Sequence, residues 1–389
     1  MDNQFDFSDI SPIEDKDFKS KMAQLVKEPG FEHAVRYVVP GVDYPEFVKL
    51  LLQVPDKNTF QLTIMKEFLE MLERMTTAGI TLSGDENVDP KISYTFMSNH
   101  RDIVLDASFL NLALIRKGFP TSEVAIGSNL LIFDWITDLV KINKSFIVKR
   151  GLPMTKALEA ARQLSAYIHY AINQKHQNVW IAQREGRAKD SNDLTQESLI
   201  KMVSLEPSAS RLENIKTANI VPVSISYEFD PNDYLKAREF LLKKLDPNFK
   251  KSQHDDLLSM ETGLLKNKGR VHFHVCQPLN EQLGDLSDET PKNELPHRIC
   301  QIMDRNIHSG YRIYPINYIA YDIVHKQAHF ADKYTPDQVK EVESYVERQL
   351  DKVKTDSPLS QLDRDYMREM MYTMYANPLK NKLAACGKD

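Results

Sequence analysis

The chain has 389 residues, of which 42% are hydrophobic and 27% are charged, and its formal net charge is −5. This composition is typical of a globular protein with a substantial core, and the negative net charge argues against nucleic-acid binding. The cysteines are few and far apart, which argues against a disulfide framework and against a cysteine-based zinc site; they are Cys276, Cys300 and Cys386.

Residues 1–90 are predicted to form a mostly helical region. The stretches "EFVKLLLQV" and "TIMKEFLEMLERM" place apolar residues three and four positions apart, the spacing of amphipathic helices. The stretch "TTAGITLSGDENVDP" then breaks this pattern with glycine, aspartate and proline. Residues 1–18 lack the basic and apolar regions of a signal peptide, and no uncharged apolar run reaches the length of a membrane span. We therefore expect a cytoplasmic protein that contacts the inner face of the cell membrane only peripherally.

Between residues 91 and 280, short apolar or β-branched runs alternate with longer helical stretches. The strand-like runs are "KISYTFMS", "EVAIGS", "SFIVKR", "NVWIAQ", "IVPVSISY" and "GRVHFHVCQPL". Pro222, inside the fifth run, predicts an edge strand or a bulge. The alternation predicts an α/β domain at 91–280, a mixed sheet with helices on both faces. It would lie between the helical N-terminal region at 1–90 and a helical C-terminal extension at 281–389.

The first strand-like run ends in a turn with one histidine and two acids: His100, Asp102 and Asp106. A carboxylate near a helix start often does no more than cap free N–H groups. A carboxylate that reaches the imidazole would instead fix its tautomer and stabilise its protonated form, as a general base requires. Six residues on a continuous helix subtend about 240°, so His100 must lie outside the helix to meet Asp106. Both acids are candidates for orienting His100.

Two other strand-like runs end in charged residues. The run "SFIVKR" ends in Lys149 and Arg150, a point charge and a fork of donors that suit an anionic group. The run "NVWIAQ" leads into a charged loop with a glycine, which would let the backbone approach a ligand closely. The candidates in this loop are Arg184, Glu185, Gly186, Arg187 and Lys189. Taken singly, the first segment is better explained as a solvated strand end, and the second is equally compatible with an exposed charged loop.

Two further segments could bind a ligand, although each also has a purely structural explanation. His272, His274 and Cys276 alternate along the last strand-like run, which could place them around a metal, but one face of a half-exposed strand explains them more simply. A basic amphipathic stretch between residues 236 and 251 could dock on anionic lipid or form a solvated helix face.

The four motifs, taken in order, resemble those of the glycerolipid acyltransferase superfamily over roughly residues 91–280. The turn "SNHRD" with Asp106 resembles the family's Asn-His-Arg-Ser block and the Asp that follows it. The segment "FIVKR" is similar to a Phe-Phe-Ile-Arg-Arg block, and "EGR" to a Glu-Gly-Gly-Arg or Glu-Gly-Thr-Arg block. The segment "VPVSISYE" is similar to the family's Ile-Pro-Val strand.

Two spacings differ from the family pattern. Five residues separate His100 from Asp106, one more than is usual in the family. Arg187 follows Glu185 by two positions, one fewer than usual, and Ala188 stands where an arginine is expected. Because of the first difference, another carboxylate could orient His100. Because of the second, other cations of the loop could contact the phosphate. These alternatives are Asp102 for the first, and Arg184 and Lys189 for the second.

The resemblance implies an O-acyltransferase of phospholipid biosynthesis that needs no metal and no redox cofactor. His100 would take the proton of an acceptor hydroxyl, and that oxygen would attack an acyl thioester of coenzyme A or of acyl carrier protein. The residues implied to bind the acceptor's phosphate are Lys149, Arg150, Glu185, Gly186 and Arg187. We also expect peripheral contact with a membrane surface and no nucleic-acid partner.

Three classes of function stay open. For an acyltransferase, "FIVKR" and "VPVSISYE" favour glycerol 3-phosphate as the acceptor, with 1-acylglycerol 3-phosphate (lysophosphatidic acid) as the alternative. A non-catalytic phospholipid-binding protein on the same fold is the second class. A hydrolase is the third, although Ser98 lacks the nucleophile-elbow context that a serine hydrolase of this fold class would have.

Overall fold

A computed structural model describes residues 5–355 and 358–387. Its centre is a seven-stranded sheet of β1 (Ile80–Ser83), β2 (Thr95–Ser98), β3 (Ser122–Gly127), β4 (Ser145–Val148), β5 (Asn178–Ala182), β6 (Ile220–Tyr227) and β7 (Val271–Val275). The strands lie in the order β1-β7-β6-β2-β5-β3-β4. Neighbouring strands are parallel except for the antiparallel pair β6 and β7. The structure therefore confirms the predicted mixed α/β sheet.

Helices precede, interrupt and follow the strands. Those before β1 are α1 (Asp15–Leu25), α2 (Pro29–Val38), α3 (Tyr44–Gln53), α4 (Lys57–Phe60) and α5 (Lys66–Thr76). Those between β2 and β7 are α6 (Leu105–Arg116), α7 (Asp134–Ile142), α8 (Met154–Asn173), α9 (Glu197–Val203), α10 (Arg211–Thr217), α11 (Asp233–Leu245) and α12 (Gln253–Leu265). Those after β7 are α13 (Glu294–Gly310), α14 (Pro315–His325), α15 (Pro336–Leu350) and α16 (Gln361–Ala385). Within the described residues, no helix is both long and apolar enough to cross a membrane.

The sheet is covered on both faces, as the sequence predicts. Successive strand residues point to opposite faces, so Phe96 of β2 packs in a cluster with α5 and α6, while Met97 packs in a cluster with α8, α9 and α13. The residues of β6 are buried along the whole strand. Burial on both faces explains why this strand is apolar or small at almost every position rather than alternating.

Five strands end at one edge of the sheet. Because β2, β3, β4, β5 and β6 run in the same direction, the segments that follow them lie along their common carboxyl edge. In open α/β sheets this is the edge where ligands bind. The histidine turn follows β2, the pair Lys149 and Arg150 follows β4, and the loop of Glu185 follows β5. The three charged segments of the sequence therefore share this edge.

Two sequence interpretations were wrong in detail. The segment that appeared only to interrupt the helical pattern contains β1, which pairs with β7 and precedes the proposed domain start at residue 91. Pro222 lies in β6, which is internal rather than at an edge. Its carbonyl accepts from the backbone N–H of Cys276, just beyond the end of β7. The N–H that proline lacks would therefore have formed only the last hydrogen bond of the antiparallel ladder between β6 and β7. The division into three domains at residues 90 and 280 stays a prediction.

The helical C-terminal extension is attached to the α/β part through a buried aspartate at the start of α11. The carboxylate of Asp233 accepts from the hydroxyls of Tyr345 (2.6 Å) and Tyr375 (2.8 Å) and from the amide of Gln349 (2.8 Å). These donors belong to α15 and α16. They satisfy a carboxylate that has no exposure to water.

Stability should depend on pH through Asp233. Burial raises the pKa of its carboxyl from 3.8 to about 6 in the folded protein, although its hydrogen bonds oppose the shift. A raised pKa means that this group stabilises the fold below about pH 4, and that the contribution is lost as pH rises through 6. Between pH 4 and pH 7, the free energy of unfolding of the wild type should fall by about 2 kcal/mol relative to Asp233→Asn. Urea unfolding at both pH values measures this, and a constant offset between the two proteins would contradict it.

Candidate active site

The turn after β2 is fixed by an asparagine that pairs with a neighbouring strand. The buried side chain of Asn99 donates to the carbonyl of Ile225 (3.0 Å) and accepts from its N–H (2.7 Å). The amide thus takes the place of a strand residue beside β6 and satisfies its backbone groups. His100 follows at once, and α6 begins only at Leu105. His100 therefore lies outside the helix, at the carboxyl edge of the sheet.

His100 contacts Asp106. Its Nδ1 is 2.8 Å from Oδ2 of Asp106, and the same oxygen accepts from the backbone N–H groups of Arg101 (2.6 Å) and Asp102 (3.0 Å). Because a carboxylate can only accept, Nδ1 carries the proton of the neutral ring and Nε2 is left as the basic nitrogen. The imidazole is 13% exposed and the carboxylate 1%. The residues between them form a turn before α6 begins, and this turn accommodates the additional residue between His100 and Asp106.

Asp102 caps α6 and does not contact the imidazole. Its Oδ1 accepts from the backbone N–H groups of Val104 (2.9 Å) and Leu105 (2.8 Å). These are free donors at the start of the helix, so the contact satisfies groups that the helix itself cannot. Burial, and then the charge of Asp106, raises the pKa of Asp102. Of the two candidate carboxylates, the geometry gives the orienting position to Asp106, while the catalytic role of either stays a prediction.

Asp102 is packed directly against α12. A Cβ atom placed on Gly263 would lie 2.1 Å from Oδ2 of Asp102, closer than any real contact. Gly263→Ala should therefore destabilise the protein by about 1–3 kcal/mol, although alanine is the better helix former. Urea unfolding measures the change. In an Asp102→Ala background the clash partner is gone, and the same substitution should be neutral or stabilising; equal effects in both backgrounds would contradict the packing argument.

Aromatic side chains enclose the histidine turn. The ring centroid of Trp180 is 5.9 Å from that of His100, at an interplanar angle of 65°. The indole N–H of Trp180 donates to the hydroxyl of Ser98 (3.1 Å), which is fully buried. Burial, and then the charge of Asp106, holds the pKa of Tyr227 well above its usual range, so its hydroxyl stays protonated. Ser98 is therefore a buried hydrogen-bond acceptor and not an exposed nucleophile.

A buried ion pair below the turn was not predicted from the sequence. Arg101 binds Asp193 through Nη2 (2.7 Å), and the hydroxyl of Tyr311 donates to the same carboxylate oxygen (2.7 Å). Asp193 lies in the long loop after β5, and Tyr311 lies beyond the predicted α/β domain. The pair therefore ties three segments together at the residue that follows His100. The only sequence signal was that Arg101 is adjacent to His100, since its partners are distant in the chain.

The two cations after β4 have acidic partners. Lys149 contacts Asp9 (2.5 Å) and the side-chain amide of Gln163 (2.9 Å). Arg150 contacts Glu185 (3.1 Å), and this ion pair joins the loops that follow β4 and β5. Both cations are about one-third exposed, so a ligand could still reach them.

Arg187 lines a different part of the molecule. Gly186, at φ +67°, takes the left-handed conformation that glycine adopts without strain, and the chain then enters a small cleft beside α11 and α12. Arg187 and Lys189 both line this cleft, whereas Lys149, Arg150 and Arg184 do not. The predicted phosphate ligands thus fall into two groups, one after β4 and one in the cleft.

The histidines of β7 bind hydroxyl groups of the adjacent strand. His272 contacts Thr81 (2.8 Å) and Ser83 (3.0 Å), and His274 contacts the same serine (2.9 Å). The strand is internal, so the expectation of a half-exposed strand face was wrong for His272, which is buried. Among the described residues, no group of three histidine, cysteine or acidic side chains could hold a metal ion.

Comparisons with known proteins add little to this geometry. No protein-family model and no curated protein sequence matches the chain. Among solved structures, the chain is similar to the crystal structure of the 1-acyl-sn-glycerophosphate (LPA) acyltransferase PlsC from Thermotoga maritima. The sequence identity is 13% and the TM-score 0.37, with 75% of this chain and 96% of that chain covered. A likeness at this level carries no argument about activity, which must rest on the side chains.

Proposed function

We propose that the protein transfers a fatty acyl group from a thioester to a hydroxyl group, with His100 as the general base. The observation that carries this proposal is the contact between Nδ1 of His100 and the buried carboxylate of Asp106 at the carboxyl edge of the sheet. It leaves Nε2 as the base of an imidazole whose tautomer is fixed. Ser98, the hydroxyl nearest in sequence, is buried and bonded to Trp180, so the base is free to act on a substrate hydroxyl rather than on a serine of the enzyme.

The proposed reaction is a direct acyl transfer. Nε2 of His100 takes the proton of the acceptor hydroxyl while the oxygen attacks the thioester carbonyl and a C–O bond forms. The C–S bond of the resulting tetrahedral intermediate then breaks, and the imidazolium returns the proton to the leaving sulfur. Asp106 stabilises the imidazolium that forms in between, because its carboxylate accepts from Nδ1. This chemistry needs neither a metal nor a redox cofactor.

The acceptor we propose is a phosphate-bearing alcohol, first of all glycerol 3-phosphate, with lysophosphatidic acid as the alternative. Support comes from the cations that follow parallel strands at the same edge as His100. They can hold an anionic group while the hydroxyl is presented to the base, which converts a bimolecular step into an effectively unimolecular one. The candidate ligands stay Lys149, Arg150, Glu185, Gly186 and Arg187.

We also propose an acyl donor and a place of reaction in the cell. The donor is a thioester of coenzyme A or of acyl carrier protein. Because the product is a lipid, we propose that the protein works at the inner face of the cell membrane by peripheral contact.

An acceptor panel tests the proposal. Purified protein is supplied with labelled acyl-coenzyme A or acyl carrier protein, together with glycerol 3-phosphate, lysophosphatidic acid, glycerol or no acceptor, and the products are identified by mass spectrometry. We expect an ester of one of the phosphate-bearing acceptors. Binding of phospholipid with no thioester consumption under any condition would favour the non-catalytic alternative.

A further inference from the structure

Arg101, the residue that follows His100, joins the proposed base to the rest of the molecule in two ways. Its backbone N–H donates to Oδ2 of Asp106 (2.6 Å), the oxygen that also contacts Nδ1 of His100 (2.8 Å). Its side chain, 6% exposed, binds Asp193 through Nη2 (2.7 Å). The main chain of Arg101 thus helps to fix the orienting carboxylate, while its guanidinium is held by the loop after β5.

One face of helix α13 holds the loop that carries Asp193. The hydroxyl of Tyr311, the residue after the helix, donates to Oδ2 of Asp193 (2.7 Å), and Nε2 of His308 donates to the backbone carbonyl of the same residue (2.5 Å). One turn earlier, Asp304 accepts from the N–H (2.8 Å) and the hydroxyl (2.6 Å) of Thr195. Positions three and four apart share a helix face, so α13 fixes this loop at three successive points.

The ion pair of Arg101 and Asp193 is shielded from water. Asp193 has no exposure, and the Arg101 guanidinium lies over the ring of Tyr311, 5.6 Å from its centroid. Burial, and then the charge of Asp193, holds the pKa of Tyr311 well above its usual range, so its hydroxyl keeps the proton that it donates. A buried ion pair with such a donor holds both side chains in one arrangement.

We infer that Asp193 and Tyr311 are positioning residues of the proposed reaction: they hold Arg101 so that its backbone N–H keeps Asp106 against His100. The inference rests on the proposed function and extends its site, because α13 becomes part of the structure that orients the base. Both residues act through Arg101. If the ion pair served only to attach α13 to the sheet, its loss would lower stability and leave catalysis unchanged.

The ion pair also determines the charge beside the imidazole. Burial opposes the charge of Arg101, but the acidic groups around it raise its pKa above the usual range; they are Asp193, Tyr311, Asp230 and Asp106. Asp106 contacts His100 as well. An amide at position 193 would leave the guanidinium charged and its charge less compensated. A positive charge that is less compensated disfavours the imidazolium, which makes His100 a weaker base.

Two tyrosines that donate to buried carboxylates give a matched test. Tyr311→Phe removes the hydroxyl that binds Asp193, and Tyr345→Phe removes one that binds Asp233 (2.6 Å) in the attachment of the C-terminal extension. Each variant loses one hydrogen bond to a buried acid, so urea unfolding should show similar losses of stability. We expect Tyr311→Phe to lower kcat about threefold to tenfold with KM unchanged, and Tyr345→Phe to change neither.

The pH profile of Asp193→Asn separates positioning from support of the fold. The amide can still accept from Arg101 and Tyr311, so the geometry is retained while the charge is lost. We expect kcat at its plateau to fall about threefold to tenfold, and the acid limb of kcat/KM to move to lower pH by about half a unit to one unit. An acid limb that stays in place, with equal kcat in Tyr311→Phe and Tyr345→Phe, would overturn the inference.

NMR of protein labelled with ¹⁵N-histidine gives a readout that needs no turnover. The signal of His100 is assigned from its loss in His100→Ala, and its titration is followed in the wild type and in Asp193→Asn. We expect the midpoint to move to lower pH by the same amount as the acid limb. This shift in a protein that transfers no acyl group would sink the proposed function and leave the charge effect of Asp193 standing. Acyl transfer with no shift would do the reverse.

Discussion

Replacing His100 with alanine should reduce acyl transfer by about two to four orders of magnitude, the contribution of a positioned general base. The loss arises because alanine removes Nε2, the atom that we propose takes the proton of the acceptor hydroxyl. The fold should survive the change, since Asn99 holds the turn through β6, and Asp106 still accepts from two backbone N–H groups. Initial rates with saturating donor and acceptor measure the effect.

The chain offers a matched control for this variant. His297 contacts Glu197 (3.3 Å) in the same way that His100 contacts Asp106, but the pair lies on the surface with the imidazole 58% exposed. His297→Ala should therefore leave turnover at the wild-type level. Turnover in His100→Ala equal to that in His297→Ala, with both proteins folded by circular dichroism, would remove His100 from the mechanism.

Asp106→Asn should reduce turnover by on the order of a hundredfold or more, whereas Asp102→Asn should change it only a few fold. An amide at position 106 can still accept from the backbone, but it carries no charge to stabilise the imidazolium. An amide at position 102 can still cap α6, because asparagine is as good a cap as aspartate. Asp102 also makes no contact with the imidazole, since its Oδ1 accepts from the N–H groups of Val104 and Leu105.

The comparison of these two variants separates catalysis from folding. Each should be assayed for the rate at saturating substrate and for its free energy of unfolding in urea. We expect the rates to differ strongly while both proteins stay folded. If Asp102→Asn is the variant that loses activity, then the capping assignment is wrong and Asp102 acts on the imidazole, directly or through Asp106.

Much of the fold follows from local sequence patterns. Runs such as "NVWIAQ" and "IVPVSISY" predict buried strands because a parallel sheet covered on both faces requires continuous apolar residues. The strand β1 escaped prediction because it has only four residues, between Gly79 and Gly84, and its pairing with β7 links positions far apart in the chain. The internal position of Pro222 also depends on where β7 ends, which no local pattern indicates.

The candidate site, like the fold, could be predicted only in part from the sequence. The contact of His100 with Asp106 could be anticipated because both residues belong to one strand-turn-helix segment. The ion pair of Arg101 with Asp193, and the cleft that brings Arg187 near Lys251, could not. These contacts join residues that are distant in sequence, and charge alone does not indicate which of many cations the fold brings together.

Transfer of an acyl group to a hydroxyl is tested most directly by measuring the released thiol and the ester formed in one reaction. Purified protein is given an acyl thioester labelled in the acyl chain, with and without the acceptor identified by the panel. Free thiol and labelled ester are then quantified in the same samples. We predict one ester for each thiol released, strict dependence on the acceptor, and loss of both signals in His100→Ala. Thiol release with free fatty acid and no ester would indicate a hydrolase, and no thiol release at all would indicate a binding protein; either result would contradict the proposed function.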